Sequence, residues 1–388
     1  MSELHYELII VGAGADGLAC ALAAAQSGQR VLLIEKSTQL GGTVTHSLIH
    51  TIGWLYDDEG EYVNISLPAA LVERLQQAET RSAKRKIGRV WVLNVEPLVY
   101  EQVIEAWLDN YRNIRVLREA SVQAVTLSNR CLTQLVVTQH RQTLVFTADA
   151  FVDATSMAAL VQQVDASKGL PAGEPQAGVI FQLHGVANDA LRFPKNIGLH
   201  RHLQAAVTQG LLPNIFATAW FDSGLQTDEV YIKLNLLASD YTEALAIQWQ
   251  SLLETFLHQL PDFVQAKVIR RGELGICDGG KIQGKYCLTV DDIKNASSVT
   301  ESAGRCAWPM EYEHPETGVT LDYLPPNHTY HIPLSTLQVH GFNNLWAVGK
   351  CLSAELRAQA SAKVVGACRA MGEAVGKAIT QGVTHEFA

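Results

Sequence analysis

Residues 6–11 form a short apolar run rich in β-formers, and a glycine turn at 12–17 follows at once. An alanine-rich stretch, 18–26, reads as a helix closed by Gly28, and 30–35 reads as a second strand. This order predicts a βαβ unit, whose parallel strands need a right-handed crossover. Residues 96–110 carry Leu98, Val99, Val103, Ile104, Trp107 and Leu108 at helical spacing and predict an amphipathic helix. Strand-like runs follow at 114–117, 122–127, 132–138, 144–147 and 150–154. From about 171 the texture changes, with strands expected at 178–185 and 230–236 and a helix at 242–257, then loops rich in Gly, Pro and His. Residues 345–348 return to a buried strand, and Gly349 leads to a long Ala/Gly helix over about 362–381. The pattern predicts an α/β fold: a discontinuous Rossmann-type domain (1–170 and 331–388) with an inserted mixed-sheet, α+β substrate domain at 171–330.

The chain has 388 residues, of which 47% are hydrophobic, enough for a large core in one or two domains. A net charge of −9 argues against a nucleic-acid partner, which would need a basic stripe. No run reaches the roughly 18 uncharged apolar residues of a membrane span, and Met1–His5 lacks a basic signal-peptide region. Seven scattered cysteines, without a C-x-x-C pair, read as reduced thiols in a cytoplasmic protein.

Gly12-Ala13-Gly14-Ala15-Asp16-Gly17 fits G-x-G-x-x-G. The first glycine makes the tight turn, the second admits a pyrophosphate, and the third lets helix and strand pack closely. The phosphates then meet a helix N-terminus, where free N–H groups and the dipole favour an anion. Glu35 ends the next strand, where a carboxylate accepts hydrogen bonds from a ribose diol. Asp16 is unusual in this turn, because a carboxylate beside a pyrophosphate costs energy.

Three later blocks favour FAD over NAD: Gly41-Gly42-Thr43, Val152-Asp153-Ala154-Thr155, and Gly349-Lys350-Cys351 before the Ala/Gly helix. A buried strand that delivers glycine to a second helix N-terminus suits the flavin end of a long dinucleotide. With the fingerprint, these blocks resemble the fumarate-reductase-like FAD-dependent oxidoreductase family, within the glutathione-reductase-type flavoprotein fold. Weaker blocks lie at 281–293 and 330–337. The resemblance implies cofactor contacts from Gly12, Gly14, Ala15, Asp16, Gly17, Glu35, Lys36, Gly41, Gly42, Thr43, Val122, Ala154, Thr155, Gly349, Lys350, Lys363, Val364 and Val365. Where relatives carry arginine, this chain has Gly280, Lys281 and Lys363, and lysine lacks the bidentate fork.

Flavin chemistry needs a substrate bond aimed at N5 and a group that handles the proton. His46 and His50 follow Gly41-Gly42, in a segment the resemblance runs beside the flavin, and histidine titrates in the right range. Against this stands a polar loop that merely fixes backbone, and covalent attachment of a histidine to the flavin is a further alternative. Tyr330 and His331 lie in a loop that relatives bring over the flavin; otherwise they are packing residues. Cys351 reads as a small buried side chain, and no metal is expected, since His328 and His331 lack a partner ligand.

The expectation is an FAD-dependent oxidoreductase moving a hydride between a small organic substrate and flavin, with dehydrogenation of a C–N or C–C bond favoured. The electron acceptor or donor is unidentified, and a homo-oligomer is open. The alternatives are a flavin monooxygenase or halogenase, an NAD-using thiazole-synthase-like enzyme, and a flavin-binding protein whose site has decayed.

Overall fold

The computed structural model describes residues 4–170, 174–314 and 316–382. β1 (Leu4–Val11), α1 (Ala15–Gln26) and β2 (Val31–Ile34) form the expected unit, β1 pairing parallel to β2 from Leu8↔Val31 to Val11↔Ile34. All four residues of β2 are buried, as a strand covered on both faces requires. On its other side β1 pairs parallel with the strand Gln142–Asp153, and Ile114–Leu117 extends the sheet beyond β2. The strand Leu345–Ala347 joins parallel to Phe151–Asp153, so the two ends of the chain build one sheet. An antiparallel meander of Ala120–Ser128, Cys131–Gln139 and Gln142–Asp153 completes it. The two runs expected at 144–147 and 150–154 are one strand, because only Ala148 and Asp149 separate them and neither breaks pairing.

α1 is buried on almost every side, which explains its alanines. It lies against the C-terminal helix Val365–Thr380 at close range. A Cβ on Gly372 would stand 2.0 Å from the Asp16 carbonyl oxygen, and one on Gly376 would stand 2.6 Å from that of Cys20. The expected single helix at 362–381 is two, Leu356–Ala362 and Val365–Thr380. Val364 is extended between them (φ −74°, ψ 156°), and this gives the second helix its own N-terminus. Helices Leu67–Ala78 and Lys195–Thr208 and the hairpin Lys84–Ile87/Val90–Asn94 were not evident in the sequence pattern.

A second, antiparallel sheet runs in the order Trp220–Ser223, Val230–Leu237, Gln176–His184, Lys267–Arg271. One face packs Val179, Phe181, Ile232 and Leu234 against Trp249 and Leu253 of the helix Glu243–Leu257. Alternate residues of the same strands, Ile180, Tyr231 and Lys233, point the other way and line a cavity. Leu288, Ile293, Ala303, Cys306, Trp308, Tyr330 and Ile332 pack into the first core, so the buried residues of the second core lie within 177–266, with Val268, Leu274 and Ile276 packed against them. The expected boundary at 171 lies outside the described residues.

Candidate active site

The predicted cofactor residues converge at one end of the parallel strands, where open α/β sheets bind ligands. A Cβ on Gly17 would lie 1.9 Å from the Gly12 carbonyl oxygen, and one on Gly12 would lie 2.4 Å from that of Ala154. These close approaches hold the fingerprint turn against the end of Gln142–Asp153. The Gly41 N–H donates to the Ala13 carbonyl at 3.0 Å, and a Cβ on Gly42 would stand 2.9 Å from the Gly14 Cα. Gly349 (φ +80°) closes the group from the strand Leu345–Ala347. Gly12, Gly14, Gly42, Thr43, Thr155, Lys350, Val364 and Val365 remain half-buried around the resulting cleft, whereas Ala15, Asp16, Gly17, Gly41, Ala154, Gly349 and Lys363 are buried.

Glu35 is anchored beside the fingerprint turn. Its Oε2 accepts the Ala13 N–H at 2.8 Å and its Oε1 accepts the Ser37 N–H at 2.9 Å, fixing the carboxylate beside the turn. Lys36 is exposed next to it. Val122, half-buried, lies in the strand that the Ala120 N–H ties to the Glu35 carbonyl at 2.9 Å. Asp153, fully buried, accepts the Thr155 N–H and hydroxyl at 2.9 and 2.7 Å and the Val161 N–H at 2.9 Å, which shapes the turn carrying Ala154 and Thr155. The arrangement fits a dinucleotide: glycine backbone leaves room for a pyrophosphate at the α1 N-terminus, and the Glu35 carboxylate offers an acceptor for a ribose hydroxyl. The Glu35→Ala variant should bind FAD about 10- to 100-fold more weakly, the worth of a hydrogen bond to a charged group. Fluorescence titration with FAD measures it, and unchanged affinity would contradict the assignment.

A cavity of about 230 Å³ opens from this cleft toward the second sheet. Thr43, Lys350, Lys363, Val364 and Val365 line its cofactor end, and Ile87, Val92, Ile180, Trp220, Ile276 and Trp308 are among its apolar walls. Lys363 is 8% exposed, and its ammonium group has no hydrogen-bond or ion-pair partner among the described residues. Lys350 Nζ donates to the Ile276 carbonyl at 2.6 Å.

His50 also lines this cavity, stacked on Tyr231 with ring centroids 3.8 Å apart. Its Nε2 lies 3.0 Å from Asp222 Oδ2, and Arg85 pairs with the same carboxylate. Burial raises the Asp222 carboxyl's pKa, but His50 and Arg85 outweigh this and hold it below the usual value, so it is ionised at neutral pH. An ionised Asp222 makes Nε2 the protonated ring nitrogen, and this leaves Nδ1, buried without a hydrogen-bond partner, as the lone pair.

The structure does not bring the other candidates here. His46 does not line the cavity, and its Nδ1 is 3.7 Å from Glu273. Tyr330 is buried and donates to Ser361 Oγ at 2.8 Å, while His331 meets Ser302 Oγ at 2.8 Å and lines a separate cleft beside the C-terminal helix. Burial pushes the Cys351 thiol well up, in keeping with a packing role. Among the described residues no group of three His, Cys, Asp or Glu could hold a metal. Sequence reasoning missed Arg85, Asp222 and Tyr231. Only the alternation of Tyr231, Lys233 and Asn235 along Val230–Leu237 hinted at a polar sheet face.

A Rossmann-type sheet whose glycine turns form a dinucleotide cleft beside an apolar cavity defines a nucleotide-dependent oxidoreductase architecture. The chain belongs to the FAD dependent oxidoreductase family, which matches residues 7–388, and its cofactor is FAD. A 46-residue stretch is 44% identical to a soluble pyridine nucleotide transhydrogenase of Marinomonas sp. (strain MWYL1), covering 12% of this chain and 10% of that protein. The fold is similar to a geranylgeranyl bacteriochlorophyll reductase-like protein of Thermoplasma acidophilum (TM-score 0.54, 12% identity, 98% of this chain and 78% of that one). It is also similar to an L-proline dehydrogenase of P. horikoshii (TM-score 0.52, 12% identity, 99% and 96%). At such identity these two show a shared fold alone. No helix among the described residues is long and apolar enough to cross a membrane.

Proposed function

We propose that this chain dehydrogenates a C–N or C–C bond of a small, largely apolar organic molecule held in the 230 Å³ cavity, with His50 as the proton acceptor. The observation that carries the reading is the His50–Asp222–Arg85 arrangement on a ring that lines the cavity, which leaves Nδ1 without a hydrogen-bond partner. Bound FAD supplies the hydride acceptor at flavin N5. The protein does the rest. The apolar walls orient the substrate and exclude water, which strengthens every charge interaction inside. His50 Nδ1 takes the proton that leaves the substrate, and the Asp222 carboxylate stabilises the imidazolium that results. Lys363 and the N-terminus of Val365–Thr380 place positive charge at the cofactor end, where negative charge develops. With its seven cysteines all in the thiol form, we also place the chain in the cytoplasm.

The test is a substrate screen read as anaerobic bleaching of the flavin band, using small apolar amines and saturated acyl compounds. Bleaching whose rate rises with pH, as a base that must be unprotonated requires, supports the reading. If no compound bleaches a flavin that dithionite reduces normally, the catalytic reading falls and a non-catalytic flavin protein replaces it. The Asp222→Asn variant should slow bleaching by about 10- to 1,000-fold and flatten its pH dependence, because an amide no longer fixes the tautomer. A rate and pH profile unchanged from the parent would remove Asp222 from the site.

A further inference from the structure

Asp16 is the fingerprint residue without an ordinary counterpart, and its surroundings are unlike those of a surface carboxylate. It is the second residue of α1 and 8% exposed. A Cβ on Gly14 would meet its Oδ1 at 2.7 Å, and one on Gly349 would meet its Oδ2 at 1.8 Å. The carboxyl group is thus wedged between the two glycine turns that face the cofactor cleft, one from each end of the chain. Both turns need glycine there, since any side chain would displace it.

The ionisable groups that face it offer little compensation. On α1 itself stands Cys20, on the helix Pro97–Asp109 stands Tyr100, whose phenol burial also pushes up, on the strand Gln142–Asp153 stands Asp153, and on the C-terminal helix stands Cys368. From the turn after Leu345–Ala347 come Lys350 and Cys351. Burial pushes all three thiols up, so they are neutral. Asp153 is the same sign as Asp16. Lys350 is the lone facing cation among the described residues, and its ammonium group is spent on the Ile276 carbonyl. Asp16 has no ion pair among the described residues, and burial, against weaker help from the Gly17 and Asp16 N–H groups, raises its carboxyl to about 7.

We propose that FAD binding to this chain takes up a proton at Asp16, so that the group enters the pyrophosphate turn as a neutral acid. The inference rests on the cofactor assignment above. A pyrophosphate at the α1 N-terminus brings negative charge next to a buried carboxyl, and like charges in low dielectric favour the protonated form. The neutral acid offers an O–H donor where the carboxylate would repel. The pyrophosphate diester itself has no proton to exchange near neutrality. Linkage then fixes the sign. Below about pH 7 the apo group is already protonated, and FAD affinity is level. As pH rises above that value, binding must first add the proton, and affinity falls by up to about tenfold per pH unit. The cofactor is held less tightly in mild alkali.

The test is titration calorimetry of the FAD-depleted chain with FAD at pH 8, in two buffers of different ionisation enthalpy, together with FAD retention by the holoprotein on ultrafiltration from pH 6 to pH 9. The expected result is uptake of about one proton and retention that falls with rising pH. The Asp16→Asn variant, which keeps the shape without the charge, should take up no proton and hold FAD at pH 9 at least tenfold more tightly than the parent. Should that variant fold poorly, infrared difference spectra of the parent serve instead: a protonated-carboxyl stretch that grows on FAD addition at pH 8 is expected. FAD binding without proton uptake or that stretch overturns the inference and leaves the cofactor assignment standing. No FAD binding at any pH overturns both.

Discussion

Replacing His50 with alanine should slow substrate-driven bleaching of the flavin by about 10²- to 10⁴-fold, the usual contribution of a positioned general base. The expectation rests on two contacts made by one cavity-lining ring, its Nε2 against Asp222 at 3.0 Å and its face against Tyr231 at 3.8 Å, and on an Nδ1 without a hydrogen-bond partner. The substitution leaves Arg85 on Asp222, so that carboxylate keeps a partner, and no hydrogen bond of His50 among the described residues goes to the fingerprint turn. FAD content should therefore be unchanged. The loss of the stacked ring costs stability of about 1 kcal/mol. The same comparison on His46→Ala should show a change of less than about threefold, because His46 lies outside the cavity. Stopped-flow reduction of the three proteins with one substrate decides the matter. If His46→Ala is the slow one, the proton acceptor has been misplaced.

The Gly17→Ala variant should lose FAD, with affinity down about 100-fold or more, and should lose about 3 kcal/mol of stability. The added Cβ would lie 1.9 Å from the Gly12 carbonyl oxygen and 3.0 Å from the Ala154 Cβ. The nearest of these atoms is backbone in the turn itself, so relief requires moving the phosphate site or lifting α1 off the sheet. Gly28→Ala is the matched control. Gly28 has φ +86° and nothing within 4 Å of its would-be Cβ, so alanine there meets backbone strain of about 1 kcal/mol and no clash. It should melt slightly lower and keep its FAD. Equal losses in the two variants would mean that generic strain, and not close approach in the fingerprint, governs the site.

The glycine turns proposed to hold the cofactor were legible in the sequence because they are local. Backbone does the binding, and backbone near a pyrophosphate must be glycine, so Gly12, Gly14 and Gly17 carry their meaning in their spacing. Glu35 was legible for the same reason, at the end of a strand fixed by the helix before it. The Ala/Gly composition of α1 and of Val365–Thr380 announced two helices in close contact, though not the break at Lys363 and Val364. Of the proton-handling half, His50 was singled out in the sequence, but its partners Arg85, Asp222 and Tyr231 were not. His50, Arg85, Asp222 and Tyr231 meet from four separate elements, and nothing in the residues around Asp222 says that it will pair with a histidine 172 positions earlier. Tyr330 and His331 show the converse: a polar pair near a Pro in a late loop reads as chemistry, yet Tyr330 is held inside by Ser361 and Trp308 packs nearby. Hairpin and helix elements such as Lys84–Ile87 and Leu67–Ala78 take their stability from what they cover, which local pattern does not report.

The central claim is that this chain holds FAD, without a covalent bond, in the cleft between the two glycine turns. The most direct measurement is the visible absorption spectrum of the purified protein, repeated on the filtrate after denaturation. Flavin bands on the protein should pass entirely into the filtrate, with FAD as the released species. A protein with no flavin bands that also takes up no added FAD would contradict it.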